Sequence, residues 1–328
     1  MNKRFNTLLQ LPDFLEFEIK KSTKIMQACA LENPWFIQPF IEKSIDSWCE
    51  TITSKGLTQL MKNYKKEVHK KIGIIAAGNI PLVGLHDLLV AYLYGCDIKI
   101  KLSSSDNILM KKVIEFLDPQ GKAIDISEQL KEIDAVIATG SNNSYRYFEY
   151  YFRDLPKILR KNRTSVAILD GKENDHELAA LANDIFLYFG MGCRNVSKVF
   201  VPNGYDLRTL FLAFESFQWM QDHHKFANNY MYHKAIWNMN LEPHWDNGFF
   251  LAKETLDLHA PLSCLFVEKY SKIEDLNLTS IKDNIQCTVS KQKNHTPFGK
   301  TQNPGLNTFA DNVDTTQFLS SLTENQKN

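Results

Sequence analysis

Two residues combine a reactive group with a local setting that could present it. Cys193 lies in Tyr188-Phe189-Gly190-Met191-Gly192-Cys193-Arg194-Asn195. Before it, Leu178, Leu181, Ala182, Ile185, Phe186 and Phe189 fall on one face of a helix. Asn174 is placed to cap that helix, with Glu177 supporting the cap. Gly190 and Gly192 bring the backbone in close and leave Cys193 on a tight turn, and residues 196–202 read as a strand. A thiol at such a junction can attack a carbonyl carbon. A free cysteine can also be a small buried hydrophobe. Asn79, in Gly78-Asn79-Ile80-Pro81, follows the apolar run 71–76. A neutral amide at a strand end can donate to a developing oxyanion, or it can serve its own turn backbone. His86 and His259 are proton donors by type, although a core or surface histidine is the simpler reading of both.

The elements around these residues set a fold class. Residues 1–70 are helical in pattern and poor in glycine. Trp35, Phe36, Ile37, Phe40, Ile41, Ile45, Trp48 and Ile52 recur at helical spacing after Asn33-Pro34, a helix start, and read as core. From Lys71 the pattern alternates between strand and helix. Strands are expected at 71–76, 98–102, 133–138 and 164–169, with helices at 85–93, 106–117 and up to Phe152. Repeated βα units imply a parallel sheet with helices on both faces. Ligands of such sheets bind beyond the carboxyl ends of the strands, where the loops at Asn79, Ser103 and Thr139 lie. A second α/β unit follows Cys193, with helices over 207–220 and up to Trp237 and strands at 262–267 and 285–290. The expected organisation is a helical segment 1–70, a parallel α/β unit 71–172, a second α/β unit 173–290 that carries Cys193, and a C-terminal segment 291–328, frayed from about Ser320.

Composition narrows the function classes. Lys plus Arg and Asp plus Glu number 38 each, so no overall basic field draws nucleic acid or an acidic membrane. No stretch approaches the length of a membrane span, and the N-terminus lacks the apolar run of a signal peptide. The six cysteines are scattered without a CxxC pair, which fits thiols in a reducing cytoplasm better than disulfides or zinc. No metal site is expected.

Four separated segments, taken in order, resemble the aldehyde dehydrogenase superfamily, and within it the long-chain fatty acyl-CoA reductase family of bacterial luminescence. Ala77-Gly78-Asn79-Ile80-Pro81 resembles the loop whose asparagine helps form the oxyanion hole. Lys99-Ile100-Lys101-Leu102-Ser103-Ser104 resembles the Lys-Pro-Ser-Glu run that holds the adenosine ribose, with Lys101 matching the lysine. Ala138-Thr139-Gly140-Ser141 resembles the Thr-Gly-Ser turn beside the cofactor phosphates. Ile168-Leu169-Asp170-Gly171-Lys172 resembles Glu-Leu-Gly-Gly-Lys. Asp257-Leu258-His259-Ala260-Pro261 falls where a Glu-x-Phe-Gly-Pro run contacts the nicotinamide ribose. Pro297-Phe298-Gly299-Lys300 is similar to the region leading into a subunit-pairing segment.

The departures carry information. Ser104 stands where the ribose-binding glutamate would be, and a lysine with serines accepts a 2'-phosphate. The resemblance therefore implies NADPH, with NADH as the other choice. Ile168 replaces the glutamate that activates water in hydrolytic members, and a reductase needs no water. The resemblance implies an aldehyde dehydrogenase-like α/β fold and a cytoplasmic enzyme. Cys193 and Asn79 would be its catalytic pair, and Lys101, Ser103, Ser104, Thr139, Gly140, Ser141, Gly171 and Asp257 its cofactor contacts. It would reduce an acyl-CoA or acyl-carrier thioester to the aldehyde as a homo-oligomer, which an acyl-transferring partner could supply. The alternatives are a hydrolytic aldehyde dehydrogenase and a non-catalytic acyl- or nucleotide-binding protein.

Overall fold

The structure, a computed structural model, describes residues 3–276 and 278–323. The chain divides into two compact units, 1–162 with 303–328, and 163–302. The boundaries expected at 172/173 and 290/291 both fall inside the second unit.

The first unit opens with helices α1 (Lys3–Phe14), continued by a π-helical stretch Leu15–Lys20, then α2 (Thr23–Glu32), α3 (Gln38–Thr51) and α4 (Ser54–Leu60). Phe5, Leu8, Leu11, Leu15 and Ile19 recur at helical spacing and are buried. Phe36, Phe40, Ile41, Ile45 and Ile52 are buried too, so this stretch is core, as its spacing implies. The expected helix start at Asn33-Pro34 is incorrect. Asn33 is the C-cap of α2, and α3 begins at Gln38 with a proline in its first turn, where its missing N–H costs nothing.

A parallel sheet follows, built from β1 (Lys71–Ile75), β2 (Asp97–Lys101), β3 (Ile124–Ile126), β4 (Ala135–Thr139) and β5 (Lys157–Arg160) in the order β3-β2-β1-β4-β5. Helices α5 (Leu85–Leu93), α6 (Asn107–Leu117) and α7 (Asn142–Tyr151) connect its strands. The order reverses between β1 and β4, which opens a crevice beyond their carboxyl ends. Strands β3 and β5 are too short for their apolar alternation to register in the sequence.

The second unit holds a sheet in the order β11-β6-β7-β10-β9-β8. Its strands are β6 (Thr164–Ile168), β7 (Val196–Pro202), β8 (Trp245–Asp246), β9 (Leu251–Glu254), β10 (Cys264–Tyr270) and β11 (Ile285–Val289), parallel except for the β8–β9 pair. Residues 164–169 thus do not extend the first sheet, because β6 pairs with β7 and β11. Helices α8 (Asp175–Phe186), α9 (Leu207–Phe214) and α10 (His224–Met239) belong to this unit, and α9 runs on as a 3-10 helix over Glu215–Asp222. Val166, Ile168, Phe200, Tyr270 and Ile285 form one buried cluster, and Tyr230, Trp237, Leu251, Cys264 and Phe266 another.

A last helix, α12 (Thr315–Ser321), preceded in the second unit by the short α11 (Leu278–Ile281), returns to the first unit. Fraying from Ser320 does not occur over 320–323. The Ser320 hydroxyl donates to the Asn63 carbonyl at 2.6 Å, and Leu322 is buried. The rest of the expected frayed tail, 324–328, lies outside the described residues. Among the described residues no helix is long and apolar enough to cross a membrane.

Candidate active site

Cys193 sits on a turn that α8 and β7 bracket. The expected cap is present in full: the Asn174 side chain accepts from Glu177 N at 2.9 Å, and the Glu177 carboxylate accepts from Asn174 N at 2.9 Å. The helix ends at Phe186, a turn earlier than the apolar face suggests. Tyr188, Phe189 and Gly190 are then consecutively left-handed, with φ of 56°, 57° and 76°. Only Gly190 adopts that region freely, and each of the other two costs about 1–2 kcal/mol. Burial of both rings offsets this. Phe189 stacks on His223 at 4.3 Å and touches Phe226 and Trp219.

Asn195 locks the turn. Its Nδ2 donates to the carbonyls of Asp184, Ile185 and Leu187, at 3.1, 3.2 and 2.9 Å, and its Oδ1 accepts from Gly192 N at 2.8 Å. Asn195 N closes a β-turn onto Gly192 O at 3.0 Å, with Cys193 and Arg194 at its centre. The Cys193 carbonyl accepts from Ser165 Oγ at 3.1 Å, and the residue is half-buried. Gly192 needs no left-handed backbone, so Gly190 alone of the two glycines supplies that freedom. Asp184 pins the Pro297-Phe298-Gly299 segment to α8: its carboxylate accepts from Gly299 N, Thr301 N and Thr301 Oγ1 at 2.6, 3.0 and 2.8 Å. Burial raises its pKa against those three bonds.

At the end of β6, Ile168 is buried. The carboxylates after it are committed. Asp170 Oδ1 accepts from Lys172 N at 2.8 Å and pairs with Lys291 at 3.4 Å. Glu173 accepts from Asp170 N and Gly171 N at 2.6 and 3.1 Å. Gly171 has φ +80°, and a Cβ there would lie 3.1 Å from Pro202 Cγ.

Asp257 is exposed on a loop held from beneath by Lys198. Lys198 is 2% exposed, and its ammonium donates to the carbonyls of Thr255, Leu256 and Asp257 at 3.2, 3.0 and 3.0 Å while pairing with Glu268. Ser197 Oγ takes the next carbonyl, Leu258 O, at 3.2 Å. Lys198, Asn195 and Asp184 all escape a sequence reading, because nothing local marks their partners.

In the first unit the expected residues line the carboxyl edge of the sheet. Asn79 is exposed at the tip of the loop after β1. Lys101 ends β2, and its ammonium reaches Glu128 O at 3.2 Å and Glu128 Oε2 at 3.4 Å. Ser103 Oγ accepts from Ser105 N at 3.2 Å, and Ser104 is exposed. Thr139 ends β4; its Oγ1 accepts from the buried Arg160 at 3.4 Å. Ser141 caps α7 by accepting from Ser144 N at 3.2 Å. A Cβ on Gly140 would come within 2.9 Å of Ser144 Cβ and 2.8 Å of Phe148. His86 Nε2 is hydrogen-bonded to Leu306 O at 2.8 Å, so it serves the fold. Cys193, Gly171 and Asp257 lie in the second unit, and the other expected residues lie in the first. Among the described residues no group of three or more His, Cys, Asp or Glu side chains gathers as a metal site.

No protein-family model matches the sequence. No curated protein matches it. Solved structures do. An aldehyde dehydrogenase from Bacillus cereus in complex with NAD+ superposes with a TM-score of 0.63 at 16% identity, over 90% of this chain and 72% of that one. A Mycobacterium tuberculosis aldehyde dehydrogenase complexed with NAD+ gives 0.63 at 15% identity, over 88% and 72%. The indole-3-acetaldehyde dehydrogenase of P. syringae gives 0.65 at 11% identity, over 89% and 72%. The chain has an aldehyde dehydrogenase-like fold. Its parallel first sheet and its second sheet, mixed by the single antiparallel pair, are the α/β architecture that the motif order implies.

Proposed function

We propose that this protein reduces a fatty acyl thioester, acyl-CoA or acyl-carrier, to the aldehyde with NADPH, through an acyl group carried on Cys193. The Cys193 thiolate attacks the thioester carbonyl, and the motif resemblance assigns to the Asn79 amide the role of donor to the oxyanion. The oxyanion collapses, the carbon–sulfur bond to CoA breaks, and CoA leaves as a thiolate that takes up a proton. The acyl group is then a thioester of Cys193. Held by Lys101, Ser103, Thr139 and Gly140, a nicotinamide dinucleotide would supply the hydride that reduces this carbonyl. Breakage of the carbon–sulfur bond to Cys193 releases the aldehyde and restores the thiolate.

The residues at the switch point suit such a cofactor. Gly140 lets the start of α7 approach closely, the first-turn N–H groups of that helix suit a pyrophosphate, and Lys101 offers an ammonium at the end of β2. Glu128 supplies a carboxylate to Lys101 that the motif itself lacks. Its side chain is 93% exposed, however, and an exposed pair yields the ammonium to a 2'-phosphate at little cost.

What carries the reductive direction is the environment after β6. Ile168 is buried and carries no base, and Asp170 and Glu173 accept from the backbone N–H groups of their own loop, which disfavours activation of water there. The reading is tested with palmitoyl-CoA and NADPH. Oxidation of NADPH with one aldehyde formed per turnover, abolished in Cys193→Ser, is the expected result. Conversion of aldehyde and NADP+ to free acid without added CoA would establish the hydrolytic alternative instead.

A further inference from the structure

The loop over 76–84 is fixed by a buried carboxyl that no motif predicts. Asp106 immediately precedes α6, where a side chain ordinarily caps the first turn. Here Glu32, from α2, does that work: its Oε2 accepts from Asn107 N and Ile108 N, both at 3.2 Å. Asp106 is turned the other way, and its Oδ2 accepts from Leu82 N at 2.7 Å. The residue is 1% exposed, and its Oδ1 has no hydrogen-bond partner. Burial, with the Glu32 charge adding to it, pushes its pKa well above the usual carboxylate range despite the Leu82 bond.

Such burial costs stability. The cap it could have made is already supplied. The single bond it does make goes to Leu82, a non-glycine residue at φ +58°. One residue earlier, Pro81 O accepts from the buried Ser44 hydroxyl at 2.7 Å. On the other side of Asn79, a Cβ on Gly78 would fall on Ser103 Oγ and lie 3.3 Å from Asp106 Cβ. Asp106 therefore flanks Asn79 from both directions along the chain.

We propose that Asp106 is a positioning residue that aims the Asn79 amide by holding Leu82 in its left-handed conformation. The inference rests on the role assigned to Asn79 above. Misaiming a donor by a fraction of an ångström forfeits most of its contribution to an oxyanion.

The test compares Asp106→Leu with Asp106→Asn, each alone and combined with Asn79→Ala. The readouts are the single-turnover rate of Cys193 acylation by palmitoyl-CoA and the dissociation constant for NADPH. Leucine keeps the branched shape, with bulkier methyls in place of the oxygens, and removes the acceptor; asparagine keeps it. Asp106→Leu is expected to acylate roughly tenfold to a hundredfold more slowly. Asp106→Asn should stay within a few-fold of wild type, and NADPH binding should be unchanged in both. In the Asn79→Ala background the leucine change should slow the reaction no further. An equal loss in both backgrounds would mean a merely structural role and would overturn the proposal, as would a wild-type rate in Asp106→Leu. Should the leucine variant not fold, Asp106→Ala takes its place in the same cycle. A wild-type enzyme that never acylates Cys193 removes the functional reading and this inference together. Normal acylation with no dependence on Asp106 removes the inference alone.

Discussion

In each unit one expected functional loop rests on a buried ionisable side chain, Lys198 beneath the Asp257 loop and Asp106 beneath the Asn79 loop. In the second unit Lys198 gathers three consecutive carbonyls and has Glu268 as counter-ion, so every proton of its ammonium has an acceptor. In the first unit Asp106 accepts one N–H and leaves an oxygen unpartnered. Removing one partner of a fully bonded buried ion is costly, because it leaves the remaining groups buried and uncompensated. A carboxyl with one bond is a net burden on folding rather than a support for it.

The largest expected effect sharpens that contrast. Lys198→Met leaves Glu268 and three carbonyls without their partner and should destabilise the protein by about 3 kcal/mol, read as a shift of the urea midpoint. Asp106→Leu should leave that midpoint unchanged or raise it. A large loss in Asp106→Leu, or none in Lys198→Met, would break the comparison. Next comes Asn195→Ala, which frees three carbonyls and one N–H around the thiol turn. It should cost about 2 kcal/mol, with slower acylation of Cys193 in the variant that remains folded.

A smaller effect appears in the pH dependence. The folded-state pKa of Asp106 is raised, so the native state holds more protons than the unfolded chain above the ordinary carboxylate range. Its contribution is therefore most favourable below the unfolded pKa, and stability is lost as pH rises through the folded value. Asp106→Asn should be more stable than wild type at neutral pH, with the difference shrinking as the pH falls toward 4. A difference that grows on acidification would show that the carboxylate is stabilised when charged. The smallest effect concerns Lys101. Glu128→Gln should shift the preference for NADPH over NADH upward by about two- to fivefold, because one exposed competitor for the ammonium is lost. A shift toward NADH would show that Glu128 does not oppose the phosphate.

These effects separate what the sequence discloses from what it hides. Local patterns were legible. Asn174 and Glu177 are close enough in sequence to announce their capping box, and the βα alternation from Lys71 announces a parallel sheet with its loops at one edge. The strands at 124–126 and 157–160 were not, since three or four residues carry too little alternation. The helix ending at Phe186 was hidden as well, because Phe189 continues the apolar face while its backbone turns left-handed. The groups that hold the loops were the least visible. Lys198 meets acceptors 57, 58 and 59 residues away, and Asp106 meets a donor 24 residues away. Such pairings exist only once both sheets are formed. Motif resemblance named residues at strand ends and in loops and was silent on those beneath them.

The central claim is that Cys193 carries the acyl group. Intact-protein mass spectrometry after mixing with palmitoyl-CoA, without reduced cofactor, tests it directly. The account predicts one palmitoyl adduct on wild type, none on Cys193→Ser, and loss of the adduct with release of aldehyde when NADPH is added. An adduct that persists on Cys193→Ser, or none on either protein across several acyl lengths and with acyl-carrier donors, would contradict it.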